Sequence, residues 1–172
     1  MLARYEEELG KELVENAMAL LALSNGLTEV QLVTSLALLS EVRGNREMMT
    51  ANFDILEKKL NPGVLLPKRR LSQIKLSILL NEIQSFLQPT ASSLMEGILL
   101  VKEGQWFGAV AERYFRGPLR PDTVHKVLAC TFAATCKDSD LAGMDPMSLI
   151  ALSYHLATVS YTHLTLPTIY SV

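Results

Sequence analysis

The sequence predicts a mainly α fold carrying one small β-hairpin. Apolar residues recur every three or four positions over most of the 172 residues, the period of a helix with one buried face. Start signals precede these stretches, among them Thr28-Glu-Val-Gln31, Pro121 and Pro146. Only Ser93–Val101, with a central turn signal and a short apolar run, reads as hairpin, and Ile98–Val101 is its better strand.

The elements follow in order. Tyr5, Leu9, Leu13, Ala17 and Leu20, flanked by Val14, Met18 and Leu21, predict a first helix over residues 2–23. Ser24-Asn-Gly26 ends it, with Asn or Gly available for a left-handed cap. Thr28 and Gln31 form a capping box for a second helix, and Leu27 can pack on Leu32 as its hydrophobic staple. Arg43-Gly-Asn-Arg46 breaks that helix, and a third is expected from Glu47 to Leu60, closing at Asn61-Pro-Gly63. After the basic trio Lys68-Arg-Arg70, a fourth is expected over 71–87, with Ile74, Ile78, Leu79, Ile83 and Phe86 on one side. Beyond the hairpin come helices over 105–115, from Pro121 to about Cys136, and over 147–157. Helix pair, spacer, helix, hairpin is the order of a winged helix. The expected organisation is therefore a winged-helix-like domain over 1–116 and a helical extension over 117–158.

Residues 159–172 stand apart. They contain no Lys, Arg, Asp or Glu and are expected to break the helical rhythm of Ser148–Ala157. Val159-Ser-Tyr-Thr-His-Leu-Thr-Leu-Pro-Thr168 resembles the in-frame translation of a transposase-type sequencing adapter. The tail is therefore expected to be non-native, the natural frame to be cut near Thr158, and His163 to belong to no site.

Composition narrows the function. The chain is 49% hydrophobic with a mean hydropathy of +0.21, rich enough to imply apolar faces that need neighbours. No window approaches the roughly 18 uninterrupted apolar residues of a membrane span. The start, Met1-Leu-Ala-Arg-Tyr-Glu-Glu-Glu8, is unlike a signal peptide, and a cytoplasmic setting is expected. A net charge of −2 makes no electrostatic case for nucleic acid.

Catalytic motifs are missing. No Gly-x-x-x-x-Gly-Lys-Ser/Thr loop, Gly-x-Ser-x-Gly elbow or His-Glu-x-x-His pair occurs. His125 and His155 could act as general bases or metal ligands, but no Asp, Cys or His lies at ligand spacing from either, so each reads as a half-buried or capping histidine. Cys130 and Cys136 are six apart, about 600° around a helix, so they point to different faces. Trp106, Phe107, Tyr114 and Phe115 have the composition of a base-stacking set, yet Val110 and Tyr114 follow Trp106 at helical spacing and read as core. Lys68, Arg69 and Arg70 could grip phosphates in a free-standing winged-helix DNA-binding protein. Against that, Gln73, Lys75 and Asn81 are a thin polar reading face for the helix that follows. No catalytic, cofactor-binding or metal-binding residue is expected in this chain, and no cofactor.

Several stretches, taken together and in order, carry a resemblance. They are Tyr5–Val14, Ala19–Glu29 with Leu32, Ile98–Val101, Trp106, Ala109–Phe115, His125–Ala129 and Leu152–Leu156. This set resembles the region just after the nucleotide-binding core of large STAND-class (NACHT/NB-ARC-like) NTPases of the nephrocystin and telomerase-associated-protein type. The resemblance implies a winged helix, a small helical unit and then a tetratricopeptide or WD40 array. It implies a non-catalytic regulatory coupler whose partners are the NTPase core and the repeat domain of its parent. One departure stands out: where family members often carry His or another polar residue before the helix after the hairpin, this chain has Lys102-Glu-Gly104. No nucleotide-sensor role is carried onto any residue.

Overall fold

In the computed structural model, the described residues are 2–24, 26–51, 73–84, 87, 98–99, 105–135 and 146–165. They form α1 (Leu2–Leu9), α2 (Lys11–Leu23), β1 (Leu27–Thr28), α3 (Glu29–Arg43), α4 (Arg46–Thr50), α5 (Gln73–Ile83), β2 (Ile98–Leu99), α6 (Gln105–Tyr114), α7 (Pro121–Thr135) and α8 (Pro146–Thr165). The fold is mainly α, as its apolar spacing predicts.

α2 lies at the centre. Every residue from Val14 to Leu21 is buried, the signature of a helix with neighbours on all sides. Those neighbours are α1, α3, α6 and α7. α7 is enclosed almost as fully, with Thr123 to Phe132 all buried. One continuous core joins Tyr5 and Leu9 of α1 to Val124, Val127 and Leu128 of α7 and to Leu152 of α8. It therefore crosses the boundary drawn from sequence at residue 116.

The first helix is two helices. Gly10 separates α1 from α2 with φ 101° and ψ 132°, a backbone region closed to residues with a Cβ. Its N–H still completes α1 by donating to the Glu6 carbonyl at 3.0 Å, and its carbonyl opens α2 by accepting from Val14 N–H at 3.3 Å. Side-chain spacing runs smoothly across this point, so the break is carried by the backbone of one residue.

Other starts agree with expectation. Thr28 caps α3 through both bonds of the capping box: its Oγ1 accepts from Gln31 N–H at 3.2 Å, and its own N–H donates to Gln31 Oε1 at 2.9 Å. Leu27 and Leu32 are both fully buried. At the end of α2, Ser24 is the cap in extended conformation, and Gly26 takes the positive φ of 110°. Asn45 caps α4 by accepting from the N–H groups of Glu47 and Met48. That helix stops at Thr50, where Ala51 turns extended at ψ 147°, rather than running unbroken from Glu47 to Leu60. The remainder of that span, the Lys68–Arg70 trio and Phe86 lie outside the described residues.

Three expectations are corrected. On α5 the inward stripe is Leu76, Leu79 and Ile83, while Ile74 and Ile78 are exposed. Both sets have helical spacing, and packing beneath α1 selects the one that faces the core. Ile98–Leu99 is indeed strand, but its partner among the described residues is β1, with Leu27 opposite Leu99 and Thr28 opposite Ile98 in antiparallel register. Residues 93–97, the expected first arm of the hairpin, lie outside the described residues. Finally, α8 continues past Ala157 to Thr165. Val159 is buried and falls one turn beyond His155 on the same face, so the inward stripe crosses the expected break.

A pair of glycine substitutions tests the α1–α2 break. Gly10→Ala meets no neighbouring atom within 4 Å, so its cost is backbone strain alone, about 1–3 kcal/mol. Gly108, inside α6 and equally open, should stabilise by about 0.5–1 kcal/mol as Gly108→Ala. Urea unfolding midpoints of the two variants should move in opposite directions.

Candidate functional site

The polar groups of this protein lie in the seams between helices. The most enclosed set is at the α7–α8 contact. Pro121 opens α7 and Pro146 opens α8, each spending its missing N–H in a first turn where that donor has no helical partner. The buried side of α8 then reads Ser148, Ala151, Leu152, His155 and Val159, which turns His155 toward α7. His125, one turn into α7, meets it.

The two imidazoles are 30 residues apart in sequence, and their Nδ1 atoms lie 2.9 Å apart. Aromatic rings close around them. Phe132 stacks on His155 at 5.8 Å between centroids and 14° between planes. Tyr154 stands edge-on to both histidines. His155 is 0% exposed, and its Nε2 has no hydrogen-bond partner among the described residues. Burial, reinforced by the neighbouring His125, pushes the His155 pKa down to about 3. Burial also lowers that of His125, with Asp122 pulling the other way. Both rings are therefore neutral at pH 7.

Chemically, this pair is a direct nitrogen-to-nitrogen contact between two helices. His155 is sealed from solvent, so it offers a substrate no approach. Among the described residues no third His, Cys, Asp or Glu joins the two to make a set of three metal ligands. The sequence reads these histidines as half-buried or capping, whereas both are buried within the helix seam. It missed their pairing, because nothing at a separation of 30 positions signals that two helices will cross there.

A second cluster ties α1 to α6. Glu6 accepts from Arg113 through two parallel bonds of 2.8 Å, Nε to Oε1 and Nη2 to Oε2. Tyr114 Oη donates to Glu6 Oε1 at 2.6 Å. The Arg113 hydrogen bond leads in holding the Glu6 carboxyl below its usual range, with burial opposing. Burial first, then Glu6, raises the Tyr114 phenol. In sequence Glu6 is one of three consecutive glutamates, and nothing distinguishes it from Glu7 or Glu8.

The other seams follow the same pattern. Arg43 of α3 reaches Asn16 and the largely buried Glu15 of α2, the latter at 3.2 Å. Thr131 donates to the Val127 carbonyl at 3.0 Å, so in the 2.8 Å contact between Ser35 and Thr131 it is Ser35 that donates. Lys126, 3% exposed, places its Nζ 3.0 Å from the Ala51 carbonyl and 3.7 Å from Asp122 Oδ2.

Of the residues singled out for nucleic acid, the structure describes the side chains of Lys75, Asn81, Phe107, Tyr114 and Phe115. Lys75 donates to the Leu9 carbonyl at the end of α1, at 3.3 Å, a favourable place for a cation at a helix C-terminus. Tyr114 is core and Phe107 is exposed, and the Trp106 side chain lies outside the described residues. Cys130 is buried, and Cys136 is outside the described residues. Set against protein-family models, curated proteins and solved structures, the chain matches none of them.

The Glu6 cluster is open to test. Tyr114→Phe should cost about 1.5–3 kcal/mol, the worth of one part-buried bond to a charged acceptor. Because the Glu6 pKa is lowered on folding, its contribution is present above the ordinary carboxyl pKa and lost as pH falls through the lowered value. The stability gap between wild type and Glu6→Gln should therefore close in acid. Glu7→Gln, at an exposed position, should open no comparable gap.

Proposed function

We propose that this chain is a non-catalytic regulatory coupler. It would be the winged-helix and following helical segment of a STAND-class NTPase, packing on a nucleotide-binding core and joining it to a repeat array. The observation that carries this reading is the pairing of β1 with β2. A strand set between the second and third described helices, pairing with one that follows α5, is compatible with the strand order of a winged helix and supports this reading. It covers a strand edge that would otherwise stay open. The ordered motifs from Tyr5 to Leu156 support the same reading.

Exposed apolar side chains add to this support. Ile74 is 75% and Ile78 44% exposed on α5, and Phe107 is 48% exposed on α6. A module that packs on a neighbouring core needs faces of this kind. No helix among the described residues is long and apolar enough to cross a membrane, so these side chains are read as protein-facing.

Residues 159–172 are read as foreign to the parent protein, with α8 running on into them at Val159, which continues its inward face. Recovery of the uncut gene tests both statements. A Walker A loop should lie upstream in the same frame, and the sequence after Thr158 should differ from the tail. An upstream frame with no such loop sinks the coupler. Within the parent, Ile74→Asp with Ile78→Asp should weaken binding of this segment to the purified NTPase core by at least tenfold, since fully burying one such side chain stabilises by about 1.5–3 kcal/mol.

A further inference from the structure

The α7–α8 seam has features that a purely apolar contact would lack. α8 is a peripheral helix whose principal packing partner is α7. Its other side is open, with Ile150 at 60% and Tyr154 at 46% exposed. Its seam contains two imidazoles meeting nitrogen to nitrogen at 2.9 Å. We propose that this histidine pair is an acid-released latch, which holds α8 on α7 when both rings are neutral and lets α8 go on proton uptake while α2, α3 and α7 stay folded.

The geometry makes the contact selective for the neutral state. A bond between two Nδ1 atoms needs one of them protonated and the other bare. His155 Nε2 is buried with no partner among the described residues. A buried N–H without an acceptor is rarer and costlier than a bare acceptor. His155 is therefore the Nδ1–H donor and His125 Nδ1 the acceptor, which leaves a bare lone pair on His155 Nε2. A proton added to His125 Nδ1 sets two N–H groups against each other and abolishes the bond. A proton added to His155 Nε2 creates a buried cation with no acceptor among the described residues for its new N–H. Opening α8 returns both rings to water.

The surrounding charges do not cancel this preference. On α7, Asp122 favours a proton on His125. Asp122 also pairs with Arg120 at 3.2 Å and Lys126 at 3.7 Å, which share its charge. From α8 come His155 and Tyr154, and Phe132 of α7 stacks on the seam. From α3 the group facing α7 is the Ser35 hydroxyl, on Thr131. The charges of α2 and α3 at Glu15 and Arg43 pair with each other.

A base whose pKa falls on closing binds more protons in the open state. Closure is therefore at full strength above the ordinary histidine pKa of about 6.5 and weakens as pH falls below it. With His155 lowered to about 3 when closed, the open-to-closed ratio should rise about thirtyfold between pH 7.5 and pH 5.0 from this ring alone. His125 adds to that in the same direction.

Hydrogen exchange on the full chain at the two pH values, each amide referred to its unstructured rate at that pH, tests the latch. Protection across Ala151–Val159 should fall thirtyfold or more at pH 5.0, while protection in α2 and α3 changes by less than about threefold. A uniform loss through all helices, or an α8 that ignores pH, overturns the proposal. His155→Phe, which keeps an aromatic ring against Phe132 but cannot ionise, should lose most of the α8 response; a full response in that variant also overturns it. Should that variant fail to fold, long-range nitrogen-15 spectra of the wild type at pH 7 decide. A protonated Nδ1 and bare Nε2 on His155 support the latch, and the reverse tautomer on His155 refutes it.

Discussion

The enclosure of α2 is the constraint on which the rest of the structure depends. Eight consecutive residues of this helix, Val14 to Leu21, are buried, and two of them are Glu15 and Asn16. A helix surrounded on every side cannot turn its polar residues to water, so they must be met inside the protein. Arg43 at the last turn of α3 meets both. That requirement sets how far α3 slides along α2. It also explains why α3 extends to Arg43 before Gly44 stops it. α1, α6 and α7 then fill the remaining sides, and the kink at Gly10 lets α1 leave the axis of α2 instead of extending it.

Once α2 is enclosed, the polar contacts that remain act mainly on register. Burial of apolar area is nondirectional and tolerates small slides of one helix over another. The hydroxyl bond from Ser35 to Thr131, the two-pronged Glu6–Arg113 pair and the imidazole contact at α7–α8 do not. Each needs one relative position and is lost at any other. The tethers also differ in exposure. Arg113 has 41% of its side chain exposed, so water and salt compete for it. His155 is sealed, so its contact responds to protonation rather than to ionic strength. Two peripheral helices, α1 and α8, are thus held by chemically different ties.

In the coupler proposed above, this arrangement would suit a module working between neighbours. Its interior is committed, with few polar atoms unmet among the described residues, and what is left over is outward and apolar at Ile74, Ile78 and Ile150. A coupler needs a stiff centre to transmit a displacement and edges whose contacts differ between two states. Enclosure of α2 supplies the first. The peripheral position of α1 and α8 supplies candidates for the second.

Local chemistry was legible in the sequence wherever a signal and its consequence lie within one turn of each other. The Thr28–Gln31 capping box, the proline starts of α7 and α8, the helical character of nearly every segment and the strand at Ile98–Leu99 all follow from residues a few positions apart. What needed the tertiary structure was every choice between equivalent local options. On α5, Ile74/Ile78 and Leu76/Leu79/Ile83 have the same helical spacing, and only the neighbour beneath decides which set is buried. Of three adjacent glutamates, only the approach of α6 selects Glu6. Gly10 reads as a tolerated glycine within a helical stripe until its backbone is seen at φ 101°. The partner of Ile98–Leu99 lies some seventy residues upstream in β1, and the partner of His125 lies 30 residues downstream. Periodicity states which face of an element is apolar; it carries no information about which other element that face, or a lone polar group upon it, will meet.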